Sequence, residues 1–486
     1  MERDTSLYQG IPRVGNTIDP LVVLVSVNAG YSHANLGLRY LMANMGDLES
    51  NTCILEGTRR LGIPVLAEAV GSLSPKIVGI SVSIWNHKES QELAAAIRTR
   101  LPGTWIVFGG PEASHLPENH PLFGSGDLVL RGEGDLAFAP LVLELLDQGS
   151  TSTWKPGKRI QSREAALPEL DQIRLPYRLL GEGDLKNRLI YVETSRGCPF
   201  SCEFCLSGVT DGVRYFPLEP VLQEIQELYN RGGRYFKVID RTFNQKIERA
   251  SRTLEFFLRL LSEGKNPGAY VQFEVVPDRF PGALREIVAR FPPETLRLEV
   301  GIQTFDNDTA TRIRRRQNQQ KTQENLEFLL RHTSAVVHAD LIIGLPGEDL
   351  ASFARGFDQL YALGPAETQL GILKALPGTS LHRHDAEWGM VYKPEPPYEV
   401  IQTAGISREE MDRLKIGAKF WELLANRGRY SELLEALVPR RTGAFYTFLE
   451  LSDFLFRRLG RTWGIDSEEF RLLLMEKLRE NPIVVE

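Results

Sequence analysis

Leu189-Ile190-Tyr191-Val192-Glu193-Thr194 and, one residue on, Arg196-Gly197-Cys198-Pro199-Phe200-Ser201-Cys202-Glu203-Phe204-Cys205 decide how the chain is read. The first segment is short and mostly apolar, as a buried strand reads. The second holds three of the four cysteines in 486 residues. That grouping is a metal-site distribution, not a disulfide framework. Iron–sulfur clusters are held by thiolates, and a cubane cluster ordinarily takes four. With three thiolates in one loop, one iron stays open to an exogenous ligand. The spacing, three residues and then two, lets a single loop wrap one cluster, and Gly197 and Pro199 suit its tight turn. Two alternatives stand beside this reading. A structural zinc site ordinarily takes four protein ligands in C-x-x-C-like pairs, and the triplet has no adjacent His. Three unrelated buried cysteines are the other, and their crowding argues against it.

Outward from the motif, short apolar runs alternate with helical periodicity, the pattern of parallel α/β architecture. Upstream, strands are expected at residues 21–27, 52–56, 77–83, 105–108 and 128–131. They predict a Rossmann-like, doubly wound sheet that binds its ligand at the strand carboxyl ends. Downstream, strands at 189–194, 236–239, 270–274, 296–300, 337–343 and 367–373 alternate with helices. They predict a (β/α)6 partial TIM barrel with its chemistry at the same ends. Residues 147–186 are punctuated by Ser, Thr, Pro and Gly and read as a linker. Residues 408–480 carry helical periodicity and several aromatics. The expected domains are thus a Rossmann-like one (1–150), a linker (151–186), the partial barrel (187–396) and a small helical C-terminal domain (397–486).

The length exceeds one ordinary core, so several domains are expected. Hydrophobic residues at 42% and charged residues at 25% argue against long disorder. A net charge of −6 gives no general attraction to nucleic acid or anionic lipid. The run Arg312-Ile313-Arg314-Arg315-Arg316 lacks interleaved aromatics and reads as a solvated helix end, or as a partner for a substrate or cofactor carboxylate. No apolar run approaches the roughly 20 residues of a membrane-spanning helix, and the N-terminus shows no signal-peptide core. A cytoplasmic protein with no membrane partner is expected. Cys53 reads as a small buried hydrophobe.

The motif resembles the C-x-x-x-C-x-aromatic-C hallmark of the radical S-adenosylmethionine superfamily, with Phe204 in the aromatic position. The resemblance implies a 4Fe–4S cluster on Cys198, Cys202 and Cys205. Its open iron binds the amino and carboxylate groups of S-adenosylmethionine, and an electron from a reducing donor such as flavodoxin or ferredoxin cleaves the cofactor to a 5′-deoxyadenosyl radical. The segment 236–244, containing Asp240, resembles the one that receives the methionine amine, although the usual Gly-Gly-Glu is absent. Glu299 and Gln303 fall in a segment similar to the family's ribose-contacting one. Ile343 and Gly344 fall in one similar to its adenine-contacting one. Each also has a plain reading, as a helix cap or a turn.

Upstream, Ser81, Ser83, Gly109, Gly110, Gly132, Glu133 and Gly134 lie in segments that look like the cobalamin-binding domain fused to many radical enzymes. Small residues at strand ends let a large ligand approach the backbone. An ordinary Rossmann-like domain with glycine turns is the alternative. The chain departs from the mutase-type D-x-H-x-x-G: Tyr31-Ser32-His33-Ala34-Asn35-Leu36-Gly37 has no Asp and a different spacing, which leaves the cobalt axial ligand open. The whole order resembles cobalamin-dependent radical S-adenosylmethionine enzymes with a C-terminal domain of unknown function. It implies methylation of an unactivated centre on a small-molecule or peptide substrate, with nucleic acid disfavoured. The alternative is a radical cyclase or rearrangement enzyme without net methyl transfer.

Overall fold

The computed structural model describes residues 11–148, 152, 154, 155, 157, 159–209 and 212–480. The outer ends of the expected terminal domains and part of the expected linker lie outside the described residues. The chain divides into two compact units, Met1–Thr194 with Arg214–Lys237, and Ser195–Val213 with Val238–Glu486.

The first unit is built on β1 (Arg13–Val14), β2 (Val22–Asn28), β3 (Thr52–Thr58), β4 (Ile77–Ser81), β5 (Trp105–Gly109), β6 (Leu128–Arg131) and β7 (Gln161–Glu164). The sheet order is β1-β3-β2-β4-β5-β6-β7, with β1 antiparallel and the remaining pairs parallel. All five strands expected from the apolar runs are present. β2 is buried along its whole length, as a parallel strand covered on both faces must be. Val23, Val25, Leu55, Ile80 and Phe108 join one apolar cluster with Leu66 and Val70 of α2 (Ile63–Leu73) and Leu93 and Ile97 of α3 (His87–Arg100). Val22, Leu24, Ile54 and Val107 join another with Leu38 and Met42 of α1 (Leu36–Ala43) and Leu141 and Leu145 of α4 (Phe138–Asp147). Helices therefore cover both faces. The chain turns one way from β2 to β3 and the other way to β4, which puts the ligand crevice of such a sheet beyond the carboxyl ends of β2 and β4. β7 lies within the stretch read as a linker; it is a polar edge strand, and its Gln-Ser-Arg-Glu sequence carries no apolar signal.

After α5 (Glu182–Asn187) come β8 (Ile190–Val192), β9 (Ser195–Cys198), β10 (Gly212–Tyr215), α6 (Leu218–Asn230) and β11 (Tyr235–Val238). The second unit then runs α7 (Ile247–Ser262), β12 (Tyr270–Val275), α8 (Gly282–Val288), β13 (Leu296–Gln303), α9 (Asn307–Arg312), α10 (Gln319–His332), β14 (Val336–Ile343), α11 (Leu350–Leu363) and β15 (Glu367–Ile372). β12, β13, β14 and β15 pair in parallel in chain order. Here burial alternates. One face is apolar, and Phe257 of α7 packs edge-on to Phe273 of β12 with ring centroids 5.7 Å apart. The other face is polar and half-buried: Gln272 Nε2 donates to Glu299 Oε2 at 2.9 Å, and His338 Nδ1 lies 3.3 Å from Glu367. One packed face and one polar face suit a sheet curved around a lumen.

α12 (Asp385–Trp388) and the antiparallel pair β16 (Val391–Tyr392) and β17 (Val400–Gln402) lead to α13 (Arg408–Trp421), α14 (Ser431–Leu437), α15 (Ala444–Leu459) and α16 (Ser467–Glu480). This helical end docks on α11 through aromatics. Phe357 lies 4.8 Å from Trp421 and 5.3 Å from Phe445, ring centroid to centroid. The buried indole of Trp421 donates to Thr368 O at 2.8 Å. Among the described residues, no helix is long and apolar enough to cross a membrane.

Candidate active site

In the second unit the three cysteines share one loop and none is in a disulfide. Cys198 ends β9. Gly197, just before it, has φ +89°, and a Cβ there would stand 2.3 Å from Gly212 O. Only glycine satisfies both the left-handed backbone and that approach. Past Cys202 the loop winds as a turn, with Cys205 N donating to Cys202 O and Gly208 N to Cys205 O, each at 3.1 Å. A side chain on Gly208 would press on Phe200 O and on the Cys202 backbone at 3.1–3.2 Å. Cys198 Sγ lies 3.4 Å from Thr242 Oγ1, and Arg315 Nη1 donates to Cys202 Sγ at 3.8 Å. Cys202 is buried. Burial pushes its thiol up and the other two cysteines add to that, while the Arg315 guanidinium pulls it down.

Glu203, between Cys202 and Cys205, has no exposed side-chain surface. Its carboxylate meets Arg314 Nε at 2.8 Å, Arg383 Nε at 2.7 Å and His384 Nε2 at 2.6 Å, and its backbone N donates to Ile313 O at 3.1 Å. The acid staples the cysteine loop to the turn after α9 and to the turn Leu381–His384. The arginine run is therefore more than a solvated helix end. Arg312 donates to Pro346 O at 2.9 Å, Arg314 pairs with Glu203, and Arg315 donates to Gly301 O as well as to the thiol. Sequence reasoning passed over Glu203, and it read the run holding Arg315 without tying it to the cysteine loop; an acid set between two cysteines is the one local signal it offered.

Among the described residues, no group of three His, Cys, Asp or Glu side chains is close enough to hold a single metal ion. A four-iron cluster does not require that convergence, because each thiolate meets its own iron. Three unlinked thiols on one stapled loop, with a guanidinium donor on one sulfur, fit a cluster.

The other expected residues sit as follows. Asp240 is buried and accepts from Ser195 N at 3.1 Å and Ser195 Oγ at 2.7 Å, so it braces the start of β9. Glu299 stands on the polar face of β13. Gln303, at the carboxyl end of β13, has φ +72° beside a register shift. That conformation is strained for a residue with a side chain. Ile343 is buried at the end of β14, and Gly344 follows with φ +88°. Phe204 is half-buried in the cysteine loop. Glu348, next in this segment, is buried and accepts from Thr304 Oγ1 at 2.6 Å; burial pushes its carboxyl up to about 7.

In the first unit the expected residues line the carboxyl edge of the sheet. Ser81 Oγ accepts from Asn35 Nδ2 at 3.2 Å, and Ser83 N donates to Asn86 Oδ1 at 2.7 Å. Gly109 ends β5. Gly110 has φ +100°, and a Cβ there would stand 2.5 Å from Val82 O. Backbone packing, not ligand room, accounts for that glycine. Gly132 is exposed with φ +83°, its N donating to Ser114 Oγ at 3.1 Å, and Glu133 pairs with Arg214. A Cβ on Gly134 would meet Leu41 and Leu130 side chains at 3.2 and 3.3 Å. The loop after β2 hangs on buried Glu56, which holds Arg39 Nη2 at 2.9 Å, Arg188 Nη1 at 3.0 Å and Asn35 N at 2.6 Å. Burial alone would raise that carboxyl, but Arg39 and these bonds outweigh it and hold it at about 2. His33 Nδ1 lies 2.6 Å from Tyr191 Oη, within hydrogen-bond distance. Tyr31 and Trp85, in the loops after β2 and β4, are each 52% exposed. Tyr31 carries the Arg188 guanidinium over its ring at 4.5 Å, and with Trp85 it sets half-exposed aromatic surface beside the crevice, which fits a large, flat ligand.

Three family models match in series: the B12 binding domain over residues 22–142, the Radical SAM superfamily over 192–360 and the protein of unknown function DUF4080 over 386–475. The 2-(S-pantetheinyl)-carbapenam-3-carboxylate methyltransferase of Streptantibioticus cattleyicolor is 28% identical over 64% of this chain and 49% of its own. The cobalamin-dependent radical SAM methyltransferase TokK of Streptomyces tokunonensis is 28% identical over 73% of this chain and 55% of its own. The chain thus spans about half the length of these curated relatives. The cobalamin-dependent S-adenosylmethionine radical enzyme OxsB, solved with aqua-cobalamin and S-adenosylmethionine, shares the fold with a TM-score of 0.63 at 14% identity, over 95% of this chain and 75% of that one. The chain thus carries a segment similar to the Radical SAM superfamily at 192–360, with one similar to the B12 binding domain ahead of it and one similar to DUF4080 after it.

Proposed function

We propose that this chain is a cobalamin-dependent radical S-adenosylmethionine methyltransferase acting on an unactivated centre of a small-molecule or peptide substrate in the cytoplasm. The observation that carries the reading is the stapled loop of three unlinked thiols. When bound, the cluster and cobalamin supply one-electron cleavage of S-adenosylmethionine to a 5′-deoxyadenosyl radical and a carrier for the methyl group. Cys198, Cys202 and Cys205 hold the cluster; Glu203 fixes their loop, and Arg315 donates to one sulfur. Asp240 receives the methionine amine while bracing β9. Glu299 and Gln303 contact the ribose, Ile343 and Gly344 the adenine, and Phe204 packs beside the cluster. Ser81, Ser83, Gly109, Gly110 and Gly132–Gly134 form the cobalamin crevice, Glu56 fixing its entrance loop. Residues 1–150, 187–396 and 397–486 act as the cobalamin, radical and C-terminal domains, with 151–186 between the first two. The names of the similar proteins favour methyl transfer over cyclisation.

The test is anaerobic reconstitution with iron, sulfide and cobalamin, then incubation of methyl-labelled S-adenosylmethionine with extract of the source cell. A labelled product that requires both cofactors is expected. Formation of 5′-deoxyadenosine with a new, unlabelled product would replace the proposal with the cyclase reading.

A further inference from the structure

Beside the cysteine loop, within the second unit, lies a cavity of about 300 Å³ lined by Ser201, Thr311, Arg314, Arg315, Arg316 and Gln317, among others. Three guanidinium groups share it on a chain whose net charge is −6. Arg314 already pairs with Glu203. Arg315 is held by Gly301 O, by Gln317 Oε1 at 2.9 Å and by the Cys202 sulfur. Among the described residues, no carboxylate pairs with Arg315 or Arg316. Three guanidinium groups with no carboxylate on two of them make the cavity wall positive, which suits an anionic occupant.

The position of the cavity says which one. Its wall includes Ser201, an exposed residue between Cys198 and Cys202, and Arg315 reaches from it to the Cys202 sulfur. Arg314 is 55% exposed and Arg316 is exposed, so the charge reaches solvent, where it can steer an approaching partner. On the reading proposed above, an electron must arrive at this loop from outside the chain, and electron tunnelling falls steeply with distance.

We propose that the Arg314–Arg316 face is the docking site of an acidic one-electron carrier protein, whose carboxylates enter the arginine cavity. The step there is electron transfer alone. The reduced carrier loses one electron, the cluster gains it, and no bond or proton changes hands.

The probe is an acidic flavodoxin, tested on the full, reconstituted chain. Arg316→Glu and Thr311→Glu each place an acid on the cavity wall, on residues outside the cofactor sites. Anaerobic calorimetry should show flavodoxin Kd weakened roughly fivefold by each at low ionic strength, with the difference narrowing as salt rises, as for a charge at an interface rim. Arg316→Lys should bind as the parent does. Single-turnover formation of 5′-deoxyadenosine should slow with flavodoxin at sub-saturating concentration and stay unchanged with titanium(III) citrate. An unchanged flavodoxin Kd in both acidic variants overturns the proposal. So does binding of inorganic phosphate that Arg316→Glu abolishes while flavodoxin binding persists, which would make the cavity a free-anion site. Absence of 5′-deoxyadenosine from the parent with titanium(III) citrate would instead count against the cluster reading, and the calorimetry would still decide the docking site.

Discussion

Glu203 and Arg315 bind the cysteine loop to residues far along the chain. Glu203 has no exposed side-chain surface, whereas Arg314 and Arg383 are 55% and 47% exposed and His384 is buried, so the acid ties a buried point of the loop to two half-exposed cations and one buried imidazole. Glu348 is a buried acid of another kind: among the described residues no cation forms an ion pair with its carboxylate, and the Arg355 charge offsets its burial only in part. Its carboxyl is raised from the ordinary 4.5 to about 7, so between those values the folded chain binds a proton that the unfolded chain has released. Stability from this group is full below pH 4.5 and is lost as pH rises through about 7. Glu348→Gln should therefore unfold at higher urea than the parent at pH 8, by up to about 3 kcal/mol, with the gap closing toward pH 5. Parallel urea curves at the two pH values check this; an equal gap at both would contradict it. The three cysteines were legible because their pattern is local. Their supports were not, since Arg315 lies 113 residues from Cys202, and His384 lies 181 from Glu203. Spacing along a chain carries no signal at that range.

In the first unit a backbone constraint fixes Gly110 just past β5 before any ligand is considered. At Gly110 the missing Cβ faces Val82 O at 2.5 Å with φ +100°, whereas at neighbouring Gly109 it would meet Leu130 O at an ordinary 3.7 Å. Gly110→Ala should then cost about 2 kcal/mol or more from backbone strain and steric shift. Gly109→Ala should change the urea midpoint little, and equal midpoints for the two variants would contradict the account. Strands β2 to β6 were readable because burial on both faces leaves continuous apolar runs. β12 to β14 were readable from alternating apolar residues, whereas β15, Glu-Thr-Gln-Leu-Gly-Ile, carries a weaker pattern. β7 escaped because an edge strand needs no apolar face. The left-handed Gln303 also escaped: a β-bulge is set by the pairing of β13 with β14, which lies 33 or more residues away in the chain.

Across the molecule, the order of domains is what the motifs implied, and the matched families occur in that order. The C-terminal helices, closed on α11 by Trp421, Phe445 and Phe448, give the barrel strands a fixed flank. The central claim is that three thiolates of one loop hold one cubane cluster. Iron and acid-labile sulfide analysis of the anaerobically reconstituted chain tests it most directly, with the Cys198→Ala, Cys202→Ala, Cys205→Ala triple variant beside it. The parent should hold about four irons per chain and the triple variant almost none, with its cobalamin absorbance kept. Full iron content in the triple variant would contradict the account.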